Sequence, residues 1–440
     1  MNKRISALAS ILAITLSVSC LTACGSSDNH SIHESRHGYS TPDGYHGCVK
    51  NGDKHGGFTK GTGTTDEETS ITDEETDYDI ANIEIDGMNI TDIVGSNYTA
   101  KNFMASARNY NTDWELFTEM IEQAKKSEMN LPTWFMNTYN RVKVVVKNNS
   151  GAAIQNEKIS LCDKDDNIIW TSVTNKDGIA YLFDTNDNIA NKVVASDGTE
   201  LGIEDTDSST GREVQLIIDK ESSVYSTVQV LAVAEQSESM LDELVYLWDG
   251  LKDEDSTLFA KNTQIGLQGI TRNAQLVDCC DLAYGTKNIA RGLYDCIDGI
   301  YSESSGTGTE SSDEMLSSWI PYALDSSLNG TKWSDDAVKV AVVLLNTPVK
   351  DDEKSSAILD KAIKEASEQG IHIISVVQDG SDFRTELLGA TLATKTNGVF
   401  IEIADENENA TYCTDTLHDS LIKTISSYDQ TDCSSIEYTE

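Results

Sequence analysis

The spacing of apolar residues changes along this chain and marks out its elements. Residues 226–240 open with a short apolar run rich in β-branched side chains, which is typical of a strand buried on both faces of a parallel sheet. Over residues 240–251 apolar side chains recur every three or four positions, which predicts a helix packed on that sheet. The turn between them carries a carboxylate and two hydroxyls, from Glu235, Ser237 and Ser239. Ligands of open α/β sheets bind at the carboxyl ends of the strands, so this turn is a candidate site.

Predicted strands and helices continue to alternate up to about residue 430. The strands are residues 263–270, 274–280, 338–345, 371–377 and 398–403. The helices are residues 287–297, 310–328, 352–369, 386–393 and 416–427. Strands that alternate with helices favour a doubly wound, mostly parallel sheet, so residues 222–430 are predicted to form one α/β domain.

A different period precedes this domain. Valines occupy alternate positions over residues 142–146, and further short apolar runs follow, separated by turns rich in Asp, Asn and Gly. This pattern predicts a small all-β sandwich over residues 141–220. Before it, apolar side chains at helical spacing between 102 and 130 predict that residues 96–140 form a helical connector.

The first 95 residues carry signals for export. A positively charged start is followed by an apolar run over residues 5–18, and Leu21-Thr-Ala-Cys24 looks like a bacterial lipobox. We therefore predict a signal peptide at residues 1–23 and a lipid on Cys24 that anchors the protein to the outer face of the cytoplasmic membrane. Residues 24–95 are acidic, contain histidines and have few large apolar side chains, so they are expected to form a disordered linker.

Charge and cysteine usage narrow the classes of function. The chain has 33 basic and 73 acidic side chains, a net charge of −40, which argues against nucleic acid and against docking on anionic headgroups. Seven cysteines follow Cys24, an odd number with no C-x-x-C spacing, so they define no disulfide framework; Cys413 with Cys433 is the pair to test. Histidines in the linker have spacings that match no compact metal site.

Two resemblances add to this interpretation. The strand, turn and helix over residues 226–251 resemble the opening of a von Willebrand factor A domain, and the order of elements up to residue 430 is similar throughout. That resemblance implies a divalent cation, Mg²⁺ or Mn²⁺, held by three loops, through which an acidic side chain of a partner is captured. Residues 142–183 resemble carboxypeptidase-regulatory-like and related bacterial Ig-like modules, which implies a spacer or contact domain.

The A-domain resemblance also places site residues on this sequence, with two departures. The first loop, Asp-x-Ser-x-Ser in the family, has Glu235 at its first position, and the third loop has Asn346 where the family has Asp. The residues carried over by position are Glu235, Ser237 and Ser239 in the first loop and Asn346 in the third, with Thr307, Thr309 and Glu310 as alternative candidates in the second. A longer carboxylate and a neutral amide predict a degenerate site that binds Mg²⁺ or Mn²⁺ weakly. Alternatively, Ser237 and Ser239 cap the following helix.

These features together favour a non-catalytic surface lipoprotein that presents its A-like domain to an extracellular or cell-envelope protein or to the cell wall. A carbohydrate- or ligand-binding sensory lipoprotein is the alternative, with Trp170, Trp319 and Trp333 as candidate platforms. A cell-wall hydrolase is less favoured, because no H-E-x-x-H or G-x-S-x-G is present and His372 and His418 are the histidines outside the linker.

Overall fold

The computed structural model describes residues 84–85, 88–89, 103–126, 132–136, 141–184, 190–203, 212–237, 240–251, 262–284, 287–304, 312–405 and 415–428. The chain divides into two compact units, Met1–Lys54 and His55–Glu440, and the described residues lie in the second. The predicted signal peptide, Cys24 and most of the predicted linker lie outside the described residues. None of the described helices combines the length and apolar character that crossing a bilayer requires.

The described chain begins with short strands and an amphipathic helix. In order these are β1 (Glu84–Ile85), β2 (Met88–Asn89), β3 (Phe103–Arg108), α1 (Trp114–Lys126) and α2 (Thr133–Met136). The strands β1 and β2 pair in antiparallel fashion, so the prediction of a disordered linker over residues 24–95 is wrong at these strands, where backbone pairing orders the chain. Helix α1 buries the apolar side chains whose spacing predicted it, Trp114, Phe117, Ile121 and Ala124.

Two small β-sheets follow and pack on each other. Their strands are β4 (Arg141–Asn148), β5 (Lys158–Cys162), β6 (Ile168–Val173), β7 (Ile179–Phe183), β8 (Lys192–Ala195), β9 (Glu200–Gly202) and β10 (Arg212–Ile218). One sheet has the order β10-β4-β7 and the other β6-β5-β8-β9. Trp170 of one sheet meets Phe183 of the other edge to face, with ring centroids 5.7 Å apart. This is the β-sandwich that alternating apolar residues predicted.

The α/β domain has strands that alternate with helices. Its elements are β11 (Thr227–Gln236), α3 (Leu241–Leu251), β12 (Thr263–Thr271), β13 (Leu276–Tyr284), α4 (Lys287–Ser304), α5 (Ser312–Gly330), β14 (Ala337–Leu344), α6 (Glu353–Glu368), β15 (Ile371–Gln378), α7 (Phe383–Lys395), β16 (Val399–Asp405) and α8 (Asp415–Ser426). The sheet order is β13-β12-β11-β14-β15-β16-β3. Neighbouring strands are parallel except at the edges, where β13 and β3 run antiparallel. The predicted fold class, a doubly wound and mostly parallel sheet, is confirmed.

Helices cover both faces of this sheet. Along β11, Val230 and Ala232 pack in one apolar cluster with α3, α4 and α8. Leu231 and Val233 pack in the other, with α5, α6 and α7. Successive side chains of a strand point to opposite faces, so adjacent residues at the end of β11 enter different layers.

The segment predicted as a helical connector contributes a strand to the sheet, so a purely helical connector is wrong. In β3, Phe103 lies opposite Asp405 and Arg108 opposite Phe400 of β16. Phe103 is buried and meets the ring of Tyr246 edge to face, 6.1 Å between centroids. The edge of β16 offers unpaired backbone groups, and pairing with them outweighs any local preference of residues 103–108.

The sandwich and the α/β domain share one hydrophobic core. A single cluster of buried apolar side chains extends from Val144 and Leu161 of the sandwich to Leu359 of α6. Trp170 lies at the junction, where its Nε1 donates to Ser367 Oγ at 3.0 Å. The Ser367 hydroxyl in turn donates to the carbonyl of Thr171 at 2.9 Å. The sandwich is therefore packed directly against the α/β domain.

Lys395 lies in the same junction and is fully buried. Its Nζ donates to the carbonyl of Trp134 at 2.7 Å and lies 3.7 Å from Asp360 Oδ1. It also lies 5.3 Å from the ring centroid of Trp170. Burial lowers the pKa of Lys395 from 10.5 to about 8, and the nearby carboxylate of Asp360 offsets only part of that effect.

We expect Lys395 to make the protein more stable as the pH rises from about 8 to 10.5. Between the folded and unfolded pKa values the unfolded chain binds more protons at this site, so removing protons favours the folded state. Urea unfolding of the wild type and of Lys395→Met at pH 8 and pH 10 checks this. The gain in stability at pH 10 should be larger in the wild type, and equal gains in both proteins would contradict it.

Candidate functional site

The candidate site lies where β11 and β14 end side by side. These strands are parallel neighbours, with Thr227 opposite Ala337 and Ala234 opposite Leu344. Both therefore end at the carboxyl edge of the sheet, and the first loop after β11 meets the third loop after β14 there. This adjacency is what the sequence predicted.

The structure describes part of the predicted cation site. Glu235, Ser237 and Asn346 are described, whereas Ser239, Thr307, Thr309 and Glu310 lie outside the described residues. The side chains of Glu235 and Ser237 are buried, and Asn346 is half-buried. The carbonyl of Ser237 accepts the N–H of Met240 at 3.0 Å, which turns the chain into α3.

The carboxyl group of Glu235 ties the first loop to the third. Its Oε2 accepts the backbone N–H groups of Asn346 at 3.1 Å and Thr347 at 2.9 Å. Its Oε1 accepts the hydroxyl of Thr347 at 2.8 Å. A glutamate extends about 1.5 Å further than an aspartate, which helps its carboxyl group to reach the loop beyond the neighbouring strand. The substitution that departs from the family pattern therefore forms an internal cross-link between loops.

Asn346 is held from a further direction. Its Oδ1 accepts the hydroxyl of Ser381 at 2.9 Å, and its carbonyl accepts the hydroxyl of Thr385 at 3.4 Å. Ser381 precedes Asp382, the N-cap of α7, whose carboxylate accepts the N–H of Arg384. The turn between β15 and α7 is thus bonded to the third loop. Sequence reasoning did not include Ser381 and Thr385, although their place just after a parallel strand at the same edge was the available signal.

Helix α5 supports the third loop from its other side. The hydroxyl of Ser317 donates to the carbonyl of Pro348 at 2.6 Å, and the N–H of Lys350 donates to the carbonyl of Ser317 at 3.0 Å. Arg384 pairs with Asp351 at 3.1 Å, so α7 also holds the end of this loop. Residues 346–348 stay half-buried within this support.

In the described part of the site, the side-chain oxygens of Glu235 and Asn346 already accept hydrogen bonds from within the protein. A carboxylate has about four lone-pair positions, and Glu235 already accepts three hydrogen bonds from the protein. Asn346 Oδ1 accepts one hydrogen bond, from the hydroxyl of Ser381. Mg²⁺ demands near-octahedral oxygen ligands at about 2.0–2.1 Å. Within the described ranges, no three His, Cys, Asp or Glu side chains are grouped closely enough to hold a metal ion.

The tryptophans considered as carbohydrate platforms have different surroundings. Trp170 is buried in the shared core. Trp319 is half-buried and stacks on Tyr322, with 5.5 Å between centroids. Trp333 donates its Nε1 to the carbonyl of Leu328 at 2.7 Å. Trp170 is therefore excluded as a surface platform.

Comparisons with known proteins give distant likenesses. No protein-family model and no curated protein matches this sequence. Among solved structures, proximal thread matrix protein 1 from the mussel byssus is 13% identical with a TM-score of 0.30, over 46% of this chain and 48% of that one. The manganese-loaded TRAP protein of Plasmodium vivax is 13% identical with a TM-score of 0.25, over 38% of this chain and 64% of that one. The TFIIH p34 N-terminal domain is 11% identical with a TM-score of 0.30, over 44% of this chain and 97% of that one. The matched region spans about half of the mussel protein, and likenesses this distant carry no inference about ligands or partners.

Proposed function

We propose that this chain is a non-catalytic, surface-anchored lipoprotein whose α/β domain binds a protein or a wall component at the carboxyl edge of its central sheet. The observation that carries this proposal is the bonding of Glu235 to the third loop. Loops already held in one arrangement lose little conformational freedom when a partner binds, which favours recognition. The half-buried residues 346–348 and the exposed Lys350 are the parts of this loop that a partner would contact.

Export and anchoring form the other half of the proposal. The lipobox ending at Cys24 would place a lipid at the outer face of the cytoplasmic membrane, and the linker residues before β1 would extend the folded part away from it. The net charge of −40 favours a protein or wall partner over nucleic acid.

His372, which lies near the amino end of β15 and so away from this edge, also favours a role without catalysis. His372 lies in β15, is buried, stacks on Tyr428 with 3.7 Å between centroids, and its Nδ1 is 2.8 Å from the carbonyl of Thr396. Burial lowers the pKa of His372 to about 4. A buried histidine that remains neutral and already has a partner is a poor general base for a bound substrate.

We also propose that binding at this edge needs no divalent cation. The Glu235 carboxyl group makes within the chain the link between loops that a metal ion would otherwise make.

Titration calorimetry tests that part of the proposal. Mg²⁺ or Mn²⁺ added to the purified wild-type protein should give only the heat of dilution. In Asn346→Asp a second carboxylate faces the same loops, and added charge raises cation affinity, so a saturable heat is expected. A saturable heat in the wild type would contradict metal-independent binding.

Site-specific photocrosslinking in intact cells of the source organism tests the binding edge. Asp335 and Lys350 are exposed and flank β14 at its amino and carboxyl ends, so they form a matched pair. A photoreactive residue at Lys350 should give a reproducible adduct with one envelope component, and the same residue at Asp335 should not. Adducts from neither position, or equally from both, would count against the proposed edge.

A further inference from the structure

Cysteines gather on the face of the sheet opposite Glu235. Cys279 and Cys280 are adjacent in β13, and both pack against the apolar cluster that contains Cys296 of α4. Adjacent strand residues normally point to opposite faces. Here the pairing of β12 with β13 shifts its register between Leu267 and Gln268, opposite Cys280 and Asp278, which marks a bulge at Cys279.

Gln236 connects Cys279 to Cys296. Its Nε2 donates to Cys296 Sγ at 2.8 Å and lies 3.5 Å from Cys279 Sγ. The amide fits because residue 269 is a glycine: a Cβ built there would lie 2.1 Å from Gln236 Nε2 and would clash with it. The sulfurs of Cys279 and Cys296 are therefore close to each other, because both contact the same nitrogen, Gln236 Nε2.

The two thiols differ in exposure. Cys296 is fully buried, whereas Cys279 is half-buried and can be reached from solvent. Two effects raise the pKa of Cys296 well above its ordinary value. The larger is the hydrogen bond with the thiol of Cys279, and the next is burial of the Cys296 side chain. Cys279 is therefore the sulfur that meets an oxidant first.

Cys280 has other neighbours. Its Sγ lies 3.3 Å from the carbonyl of Asp281 and 3.8 Å from that of Ile265. It does not share the amide of Gln236, so Cys279 is the cysteine of β13 that is paired with Cys296.

We propose that Cys279 and Cys296 are a dithiol modification site that closes to a disulfide in an oxidising environment. The oxidant is a small-molecule or protein disulfide. The thiolate of Cys279 attacks it, forms a mixed disulfide and releases one thiol. Cys296 then loses its proton, attacks the Cys279 sulfur and releases the second thiol. Two protein thiols are oxidised to one S–S bond, and the oxidant disulfide is reduced to two thiols.

This site lies directly behind the candidate binding edge. Gln236 stands between Glu235, which bonds to the third loop, and Ser237. Closing the disulfide removes the thiol acceptors of the Gln236 amide.

Peptide mapping tests the proposal on the purified protein. After incubation with oxidised glutathione and digestion by trypsin without reduction, residues 273–287 and 292–332 should be joined. The joined product should be about 2 Da lighter than the sum of the two peptides. Oxidised protein that carries only glutathione adducts, or that links Cys296 to a cysteine outside residues 273–287, would overturn it.

Two variants separate the adjacent cysteines, which share one peptide. Cys280→Ser should keep the link between the two peptides, and Cys279→Ser should lose it. Loss of the link in a folded Cys280→Ser protein would overturn the pairing, even if Cys279→Ser does not fold. Circular dichroism before oxidation shows which variants are folded.

Discussion

Replacing Glu235 with alanine should lower the free energy of unfolding by about 3 kcal/mol, from the loss of hydrogen bonds between loops. The carboxyl group is buried and accepts two backbone N–H groups and one hydroxyl from residues 346 and 347. Alanine leaves these donors without their acceptor, and water can reach them only in part because the loop is half-buried. Guanidinium unfolding followed by circular dichroism measures the loss.

Two further substitutions test whether the length of the Glu235 side chain is what joins the loops. Glu235→Gln keeps the length of the side chain and one acceptor oxygen, so it should lose only about 1 kcal/mol. Glu235→Asp keeps the charge and loses one methylene, which removes about 1.5 Å of reach, so it should resemble alanine more than glutamine. If aspartate were tolerated as well as glutamate, length would not be what joins the loops.

Replacing Trp170 with alanine should cost about 3–5 kcal/mol, the usual range for deleting a large aromatic side chain from a core. The indole is buried, lies edge to face with Phe183, and donates to Ser367 of α6. We also expect the sandwich and the α/β domain to unfold in a single transition, in the wild type and in this variant, because they share one apolar cluster.

Hydrogen exchange measured over a series of denaturant concentrations distinguishes a single unfolding transition from independent unfolding of the two domains. Peptides from β4 and from β14 should lose protection at the same denaturant concentration. Trp333→Phe is the control, because Trp333 is half-buried and bonds to Leu328 within its own domain, so a small loss is expected. A sandwich that unfolds before the α/β domain would contradict the shared core.

Periodicity was a good guide to the elements of this fold. Buried strands such as β14 and β15 are mostly apolar runs interrupted by single polar residues, and α6 shows its buried face in its spacing, so local sequence was sufficient. The strand β3 was missed because its stability comes from a partner almost 300 residues away, the edge of β16. Packing of the sandwich on α6 was missed for the same reason, since Trp170 and Ser367 are remote in sequence.

The location of the candidate site could be predicted from the sequence, but its hydrogen bonds could not. The sequence indicated that Glu235 and Asn346 would meet at one edge, because both follow parallel strands. It could not show that the carboxyl group would accept hydrogen bonds from the third loop, since that depends on distances of a few tenths of an ångström. Pairing of Cys279 with Cys296 also needed coordinates, because a bulge turns Cys279 toward α4.

The position of β3 has a mechanical consequence. The chain enters the sheet at Phe103, opposite Asp405, at the same edge where β11 and β14 end. If the chain before β3 and a molecule bound at that edge were pulled apart, the force would act on Phe103, the first residue of the edge strand β3. Such tension would act first on the pairing of Phe103 with Asp405 and then on the following pairs of β3 with β16. Under strain, β3 would peel away first while the central strands remain joined.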